Sequence, residues 1–313
     1  MVGGKPAVRV GGIPVQLSHL DKVFFPDEGI TKGDLVEYYR QMAPRILPFL
    51  RDRPLVMGRY PDGIAGHAIV QKNAPGYFPD WVSRAEVGKK DGTVRHVIGD
   101  KAATLVYLAN QGCIELHSFL SRLEALERPD QLVFDLDPPD EAGFGLACQT
   151  ALELRELLAR ELELSGYVKT TGGKGLHVHV PLRPEHDFDT VRDLARDVAG
   201  LLATQSPRQL TIDQRKDQRG QRLYLDVMRN GYAQMAVAPF SVRARPGATV
   251  ATPLHWAEVE AGQLTPRDFT VRTIAGRLAG RDDPWADMPA RRRGLPVSRL
   301  AALRASPEAG AGS

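Results

Sequence analysis

Two cysteines, Cys113 and Cys148, in 313 residues are too few for a disulfide framework or a cysteine-rich zinc site. They are expected to be buried, reduced thiols. No run approaches the roughly 18 apolar residues that span a bilayer, and the opening MVGGKPAVRV lacks the apolar stretch of a signal peptide. The expectation is therefore a cytoplasmic protein with no membrane partner. Repeats of solenoid period are missing, as is the GxxxxGK[ST] phosphate loop. An excess of one charge is missing too: 41 Lys and Arg against 38 Asp and Glu leave a net +3, which many enzymes share and which identifies no ligand class.

Apolar residues at 42% and charged residues at 25% are ordinary for a globular chain of this length. Thr31 to Asp34 reads as a helix start with a capping box, followed by Leu35, Tyr39, Met42 and Ile46 at helical spacing. Further helices are expected over Gln149–Leu164, over Asp189–Ala203, and after Thr265-Pro266 through Phe269, Ile274 and Leu278. Short β-prone runs fall at Ala68–Gln71, Thr104–Leu108, Ile114–His117, Gln131–Asp137, Leu176–Val180 and Leu223–Val227. Helices and strands do not alternate strictly, so the fold class is α+β. One catalytic body of two packed lobes is expected over residues 13–285, with residues 1–12 and 302–313 as flexible tails.

The segment Gln131-Leu132-Val133-Phe134-Asp135-Leu136-Asp137-Pro138-Pro139 carries the most information. In a strand, alternate side chains share a face, so Leu132, Phe134 and Leu136 point to a core while Asp135 and Asp137 point together to the other side. Adjacent carboxylates repel unless a cation sits between them. Oxygen ligands favour magnesium or manganese over zinc. Leu223-Tyr224-Leu225-Asp226-Val227 repeats the pattern, and Asp226 from a second strand could complete a two-metal site that activates a hydroxyl for attack on phosphorus. The plainer reading is a strand end with solvated aspartates.

A second segment, Thr170-Thr171-Gly172-Gly173-Lys174-Gly175-Leu176-His177-Val178-His179, puts three glycines beside a hydroxyl and a lysine. Such a loop turns tightly and exposes N–H groups to an anion such as a triphosphate. A strand follows it, so a glycine-rich hairpin turn is the competing reading.

In order and spacing, DLDP, TGGKGLHVHV and the aspartate of YLDV resemble the three motifs of archaeo-eukaryotic-type primase–polymerases, and above all the polymerase domain of ligase D, the bacterial end-joining enzyme. Leu20-Asp21-Lys22-Val23-Phe24-Phe25-Pro26, Arg59-Tyr60-Pro61-Asp62-Gly63, Val237-Ala238-Pro239-Phe240-Ser241-Val242-Arg243 and His255-Trp256-Ala257-Glu258 support the likeness, which runs from about Val15 to Asp283. The resemblance implies an RRM-like catalytic sheet packed against an N-terminal α/β module. It implies a polymerase that adds ribo- or deoxynucleoside triphosphates to a 3′-hydroxyl at DNA breaks or gaps, with two Mn²⁺ or Mg²⁺ ions on Asp135, Asp137 and Asp226. By it Thr171, Lys174 and Arg243 would contact the nucleotide's phosphates, with Gly173 and Gly175 shaping the loop and His117 near the sugar. Arg229 could also reach phosphate or be a surface arginine, and His177 and His179, on one strand face, read either as nucleotide donors or as structural histidines. Lys22 and Lys32 would take the 5′-phosphate of a gapped duplex. Ku and a DNA ligase would be partners, at the bacterial nucleoid. Arg51, Arg53, Arg59, Lys72, Lys89 and Lys90 are further candidates for DNA backbone contacts.

Two positions depart from that pattern. Ile69-Val70 stands where paired phenylalanines are expected against the template, and Gly58 where a basic residue is expected. A two-metal phosphodiesterase or nuclease shares the carboxylates but needs no triphosphate cradle, and a non-catalytic DNA-end binding module needs neither. No ligase or nuclease domain is expected within this length, and the Arg291-Arg292-Arg293 run reads as a solvated charge cluster.

Overall fold

The computed structural model describes residues 7–89, 91–296, 298 and 299. Residues 1–6, Lys90 and the expected tail 302–313 lie outside them. The chain divides into two compact units, one formed by Met1–Glu124, Val237–Ala251 and Phe269–Ala279, the other by Ala125–Ala236, Thr252–Asp268 and Gly280–Ser313.

The first unit opens with a hairpin of β1 (Ala7–Val10) and β2 (Ile13–Gln16), in register from Ala7 opposite Gln16 to Val10 opposite Ile13. The expected flexible tail over residues 1–12 is thus a strand from Ala7 onward, because Val10 and Val15 are buried. After β3 (Val23–Phe25) and β4 (Ile30–Thr31), helix α1 (Lys32–Leu50) begins as the sequence indicates. The Thr31 side chain accepts from the Asp34 backbone N–H, and the Asp34 carboxylate accepts from that of Thr31. A sheet follows from β5 (Pro54–Arg59), β6 (Ile69–Gln71), β7 (Arg84–Lys89) and β8 (Gly92–Ile98), then helix α2 (Ala102–Asn110) and β9 (Cys113–Phe119). In it β5 lies between β9 on one side and β8 and β6 on the other.

The run Thr104–Leu108, expected as a strand, is the middle of α2. Every residue of this helix from Ala103 to Asn110 is buried, and an apolar run buried all round has no periodicity to separate helix from strand. Tyr39, fully inside, donates from its hydroxyl to the Ile114 carbonyl at 2.7 Å, tying α1 to β9. Both cysteines are buried and free.

The second unit is a five-stranded sheet built from β10 (Gln131–Asp137), β11 (Tyr167–Thr170), β12 (Leu176–Pro181), β13 (Leu210–Thr211) and β14 (Leu223–Asp226), in the order β11-β12-β10-β14-β13. Helices α3 (Phe144–Leu162) and α4 (Phe188–Gln205) pack on it. Leu132, Phe134, Leu136, Val168, Val178, Val180, Leu223 and Leu225 are all buried, and register puts them on one face. Each such side chain contributes about 1.5–3 kcal/mol by leaving water. Helix α3 starts five residues before the expected Gln149, because Phe144, Ala147 and Cys148 prolong its buried stripe.

A short α5 (Lys216–Arg219) precedes β14, and α6 (Trp256–Glu260) packs near α3. The helix expected after Thr265-Pro266 shrinks to Ile274–Leu278. The residues before it form a bridge at Thr270 and then a turn: the Val250 N–H donates to Phe269 and the Val271 N–H to Ala248. The Arg291–Arg293 run is docked rather than merely solvated. Arg292 pairs with buried Asp130 at 3.1 Å, and Arg293 bridges to Leu182.

Candidate active site

The two-residue period of β10 sends Asp135 and Asp137 to the face opposite the leucines, as their spacing requires. Antiparallel pairing then sets Asp226 of β14 directly across from Asp135, and Tyr224 across from Asp137. On the other flank His177 of β12 stands opposite Asp135, and Lys169 of β11 stands opposite His177. One face of a sheet therefore carries three carboxylates, a lysine, a tyrosine and a histidine. Side chains directly opposite on paired strands have Cβ atoms about 4.5–5.5 Å apart, so Asp135 and Asp226 are true neighbours although 91 positions separate them.

This polar face is covered more than the sequence suggests. Lys169 is fully buried, and His177 and His179 are 3% exposed. Trp285 supplies part of the cover, with its ring 5.0 Å from that of His179 and its indole N–H donating to the Val168 carbonyl. Burial pushes His177 down to about 4, and the charge of Lys169 adds to this. His177 is therefore a neutral donor at pH 7, its Nε2 lying 3.4 Å from the Asp135 carboxylate. Placed this way it serves Asp135, a role between the two readings, nucleotide donor and structural histidine, that the strand left open.

Each carboxylate has a cation of the chain against it. Arg229 Nε lies 3.3 Å from Asp135 and 3.9 Å from Asp226. Lys174 Nζ lies 3.4 Å from Asp137, and Arg219 lies 3.9 Å from it while its guanidinium stacks on the Tyr224 ring at 3.6 Å. Burial opposes charge on Asp135, but His177 and Arg229 outweigh it and hold the carboxyl well below the usual range. Asp226 moves the other way: burial raises it and the charge of Asp135 adds to the rise, against the Met228 N–H that donates to it at 2.8 Å. Among the described residues no three His, Cys, Asp or Glu side chains enclose an ion unaided. The donor set nonetheless fits a hard divalent cation, since it is all carboxylate oxygen on one face and the chain's own cations stand 3.3–3.9 Å from it.

The glycine segment is the turn of the β11–β12 hairpin, so the plainer reading of its backbone holds. Its position is the informative part. A Cβ on Gly175 would lie 2.1 Å from the Leu136 carbonyl oxygen, so only glycine lets this turn lie against the end of β10. The Thr171 hydroxyl closes the turn, donating to the Gly175 carbonyl and accepting from the Gly173 N–H at 3.1 Å. Lys174 is left at the turn's tip, bonded to the Pro139 carbonyl at 2.9 Å and reaching Asp137.

The remaining candidates belong to the first unit. On β9, Glu115 gathers two of them: His117 Nε2 lies 3.2 Å from its Oε2, and Arg243 Nε lies 2.9 Å from its Oε1. Lys22 pairs with Asp62, and Lys32 bonds to Ser18 Oγ at 3.3 Å. The Lys32 N–H donates to the Lys22 carbonyl, so the backbone holds these two lysines together. Burial lowers Lys32 to about 8, and the nearby charge of Lys22 adds to this.

The family model for the LigD primase-polymerase domain matches residues 31–285. The chain belongs to this family. It is 32% identical over 287 residues to the bifunctional non-homologous end joining protein LigD of Bacillus subtilis, covering 91% of this chain and 46% of that protein. Against the multifunctional LigD of Mycolicibacterium smegmatis it is 33% identical, covering 80% and 33%. The chain thus spans less than half the length of these relatives. The polymerase domain of Mycobacterium tuberculosis ligase D, solved in complex with DNA, superposes with a TM-score of 0.82 at 31% identity, covering 89% of this chain and 99% of that one. The α+β primase-polymerase fold expected from the motifs is the fold observed.

Several candidate cations of this ligase D polymerase domain are committed within the fold. Arg53 is buried and donates to the Phe119 carbonyl, which removes it from the expected DNA contacts. Arg59 is held by the Gln111 carbonyl, Gln71 and the Tyr77 hydroxyl. Arg51, Lys72 and Lys89 remain exposed. Glu115, Arg219 and Tyr224 escape the sequence: strand register places Tyr224, α5 carries Arg219 onto the Tyr224 ring, and the returning segment at 237–251 picks out Glu115. Gly58, where a basic residue was expected, would put a Cβ 2.9 Å from that of Glu115. The bare backbone there leaves room for the glutamate. Ile69 and Val70 are exposed on the edge strand β6, so apolar surface persists where aromatic rings were expected.

Among the described residues no helix is long and apolar enough to cross a membrane.

Proposed function

We propose that this domain is a nucleotidyltransferase that adds nucleotides from nucleoside triphosphates to the 3′-hydroxyl at a DNA break or gap. One observation carries the proposal: Asp135 and Asp226 are opposite each other in register, with Asp137 beside them and the Lys174 turn packed on the same strand end. A nuclease needs the carboxylates but has no use for a cationic glycine turn next to them.

In this reading Asp135, Asp137 and Asp226 hold Mg²⁺ or Mn²⁺. The ions would supply an activated 3′-hydroxyl and neutralise charge on the phosphates. Arg229 and Lys174, which stand against the carboxylates, are of the right charge to meet the triphosphate. Neutral His177 keeps Asp135 oriented. His117 and Arg243 serve the sugar and phosphates of the incoming nucleotide. Lys22 and Lys32 form the 5′-phosphate site: of two lysines joined through the backbone, Lys32 is buried and destabilised in its charged form, and a bound anion relieves it. The relatives' names extend the proposal to non-homologous end joining, and the family resemblance adds Ku and a DNA ligase as partners in the bacterial cytoplasm.

The test is incorporation on a gapped duplex with a labelled primer, with ribo- and deoxynucleoside triphosphates and with Mg²⁺ and Mn²⁺ compared. Lengthened primers support the proposal. Shortened primers assign the site to a nuclease, and DNA binding without either product leaves a binding module.

A further inference from the structure

The first unit contains a carboxylate that no motif singled out. Glu115 lies inward on β9, and its two oxygens serve two different segments. Oε1 accepts from Arg243 Nε at 2.9 Å and from the Ala244 backbone N–H at 3.0 Å, while Oε2 lies 3.2 Å from His117 Nε2. The segment bearing Arg243 is itself set on β9 by two more bonds, Ala238 N–H to the Leu116 carbonyl and Leu116 N–H to Ser241 Oγ at 2.8 Å. Arg243 is thus fixed at the backbone on both sides and at its Nε. Burial works against charge on Glu115, but His117, Arg243 and the Ala244 N–H overcome it and hold the carboxyl far below the usual range.

An ionised carboxylate can only accept. The proton between Glu115 and His117 therefore sits on Nε2, and in the neutral imidazole Nδ1 is left as a bare acceptor. An acceptor suits a sugar hydroxyl, which donates, and repels a phosphate oxygen, which does not. We infer that Glu115 is a positioning residue that fixes the tautomer of His117 and the aim of Arg243, so that this pair reads a nucleotide's sugar hydroxyl and phosphate respectively. The inference rests on the nucleotidyltransferase reading for its ligand, but the tautomer is a property of the chain alone.

Two measurements separate them. Imidazole ¹⁵N–¹H correlation on the full chain, without nucleotide, is expected to show His117 protonated at Nε2. In Glu115→Gln, which keeps shape and loses charge, the signal shifts toward the averaged tautomer, with the amide spectrum otherwise preserved. A His117 protonated at Nδ1 in the parent, or unmoved by Glu115→Gln, overturns the inference whether or not the protein polymerises. Steady-state incorporation then reads the consequence. Glu115→Gln raises KM for the nucleoside triphosphate about tenfold while kcat falls less than threefold, and the penalty shrinks for a dideoxynucleotide that lacks the hydroxyl. An equal loss in kcat with KM unchanged overturns the positioning role. Gly58→Ala, whose Cβ would press on Glu115, is expected to move the His117 signal and KM in the same direction by a smaller amount, and no movement counts against it.

Discussion

Glu115 and Asp137 are both carboxylates with two basic groups against them, yet they are held in opposite ways. The partners of Glu115 sit at 2.9–3.2 Å, from Arg243 and His117 side chains only 19% and 23% exposed. Those of Asp137 stand at 3.4 and 3.9 Å, and Lys174 is 36% exposed. Arg219, 17% exposed, is as covered as Arg243, so length sets the two apart. Short bonds among partly buried groups are costly to break, because each group would be left unsatisfied. Longer contacts with a half-exposed lysine are worth little and exchange readily. The first arrangement builds a scaffold, and the second leaves charge that the proposed metal ions would meet.

The largest effect that would break this contrast is at the acidic face. Asp135→Ala is expected to reduce incorporation by about 10²–10³-fold or more in kcat, with DNA affinity in a filter or anisotropy assay changed little. Asp226→Ala is expected to behave alike. If either variant extends primers at the parental rate, the exchangeable carboxylates are not the metal site, and the distinction from Glu115 loses its functional meaning.

Next comes a pair of glycines, one beside each carboxylate. A Cβ on Gly175 meets a backbone carbonyl oxygen at 2.1 Å, whereas one on Gly58 meets the side chain of Glu115 at 2.9 Å. Neither atom can rotate aside, and the approach at Gly175 is the closer by far. Gly175→Ala is expected to cost about 1–3 kcal/mol by forced overpacking, seen as a drop in Tm of roughly 2–4 °C per kcal/mol, and to depress incorporation as Lys174 leaves Asp137. Gly58→Ala is expected to lower Tm by less, because the Glu115 Cβ it would meet at 2.9 Å gives way only with the β9 backbone. Equal shifts in Tm would mean the turn is no more constrained than the β5 strand.

How much of this was legible beforehand follows from the same physics. The DLD and YLD segments announced their faces because strand alternation is local, and β10 runs over the residues expected, Gln131–Asp137. The capping box at Thr31 was local too. That Asp135 meets Asp226, rather than some other carboxylate, is a matter of register across separate strands, which only the family resemblance anticipated. Helix α2 was misread because uniform burial erases periodicity. Glu115 was invisible for a deeper reason. An isolated glutamate in CIELH looks like any half-exposed strand residue until a segment 128 positions away returns beside it.

A third charged pair, Lys22 and Lys32, sharpens the comparison by having like signs. Lys32 titrates near 8, so it is charged below that pH and loses its proton as pH rises through it. A bound 5′-phosphate favours the protonated form, and binding therefore takes up a proton in the alkaline range. Preference for a 5′-phosphorylated gap over a hydroxyl-ended one is expected to be full near pH 7 and to decline above pH 8. Lys32→Ala should lower the preference about tenfold at pH 7, equivalent to about 1.4 kcal/mol, and flatten its pH dependence. An unchanged preference would remove Lys32 from the phosphate site. The same depression means that the charged form costs folding stability below pH 8, a cost relieved between there and its ordinary value of 10.5.

The smallest effect concerns β6, which is neither scaffold nor exchangeable charge. Val70 is 74% exposed and Ile69 40%, so the edge strand offers apolar surface without a ring. Stacking of a base on an aromatic side chain is worth about 1–3 kcal/mol, and an exposed edge position has room for one. Val70→Phe is expected to slow dissociation of a template overhang a few-fold and to leave kcat on a bound substrate alone, because β6 carries none of the residues assigned to the chemistry. Faster dissociation, or a change in kcat, would place this surface away from the template strand or within the catalytic machinery.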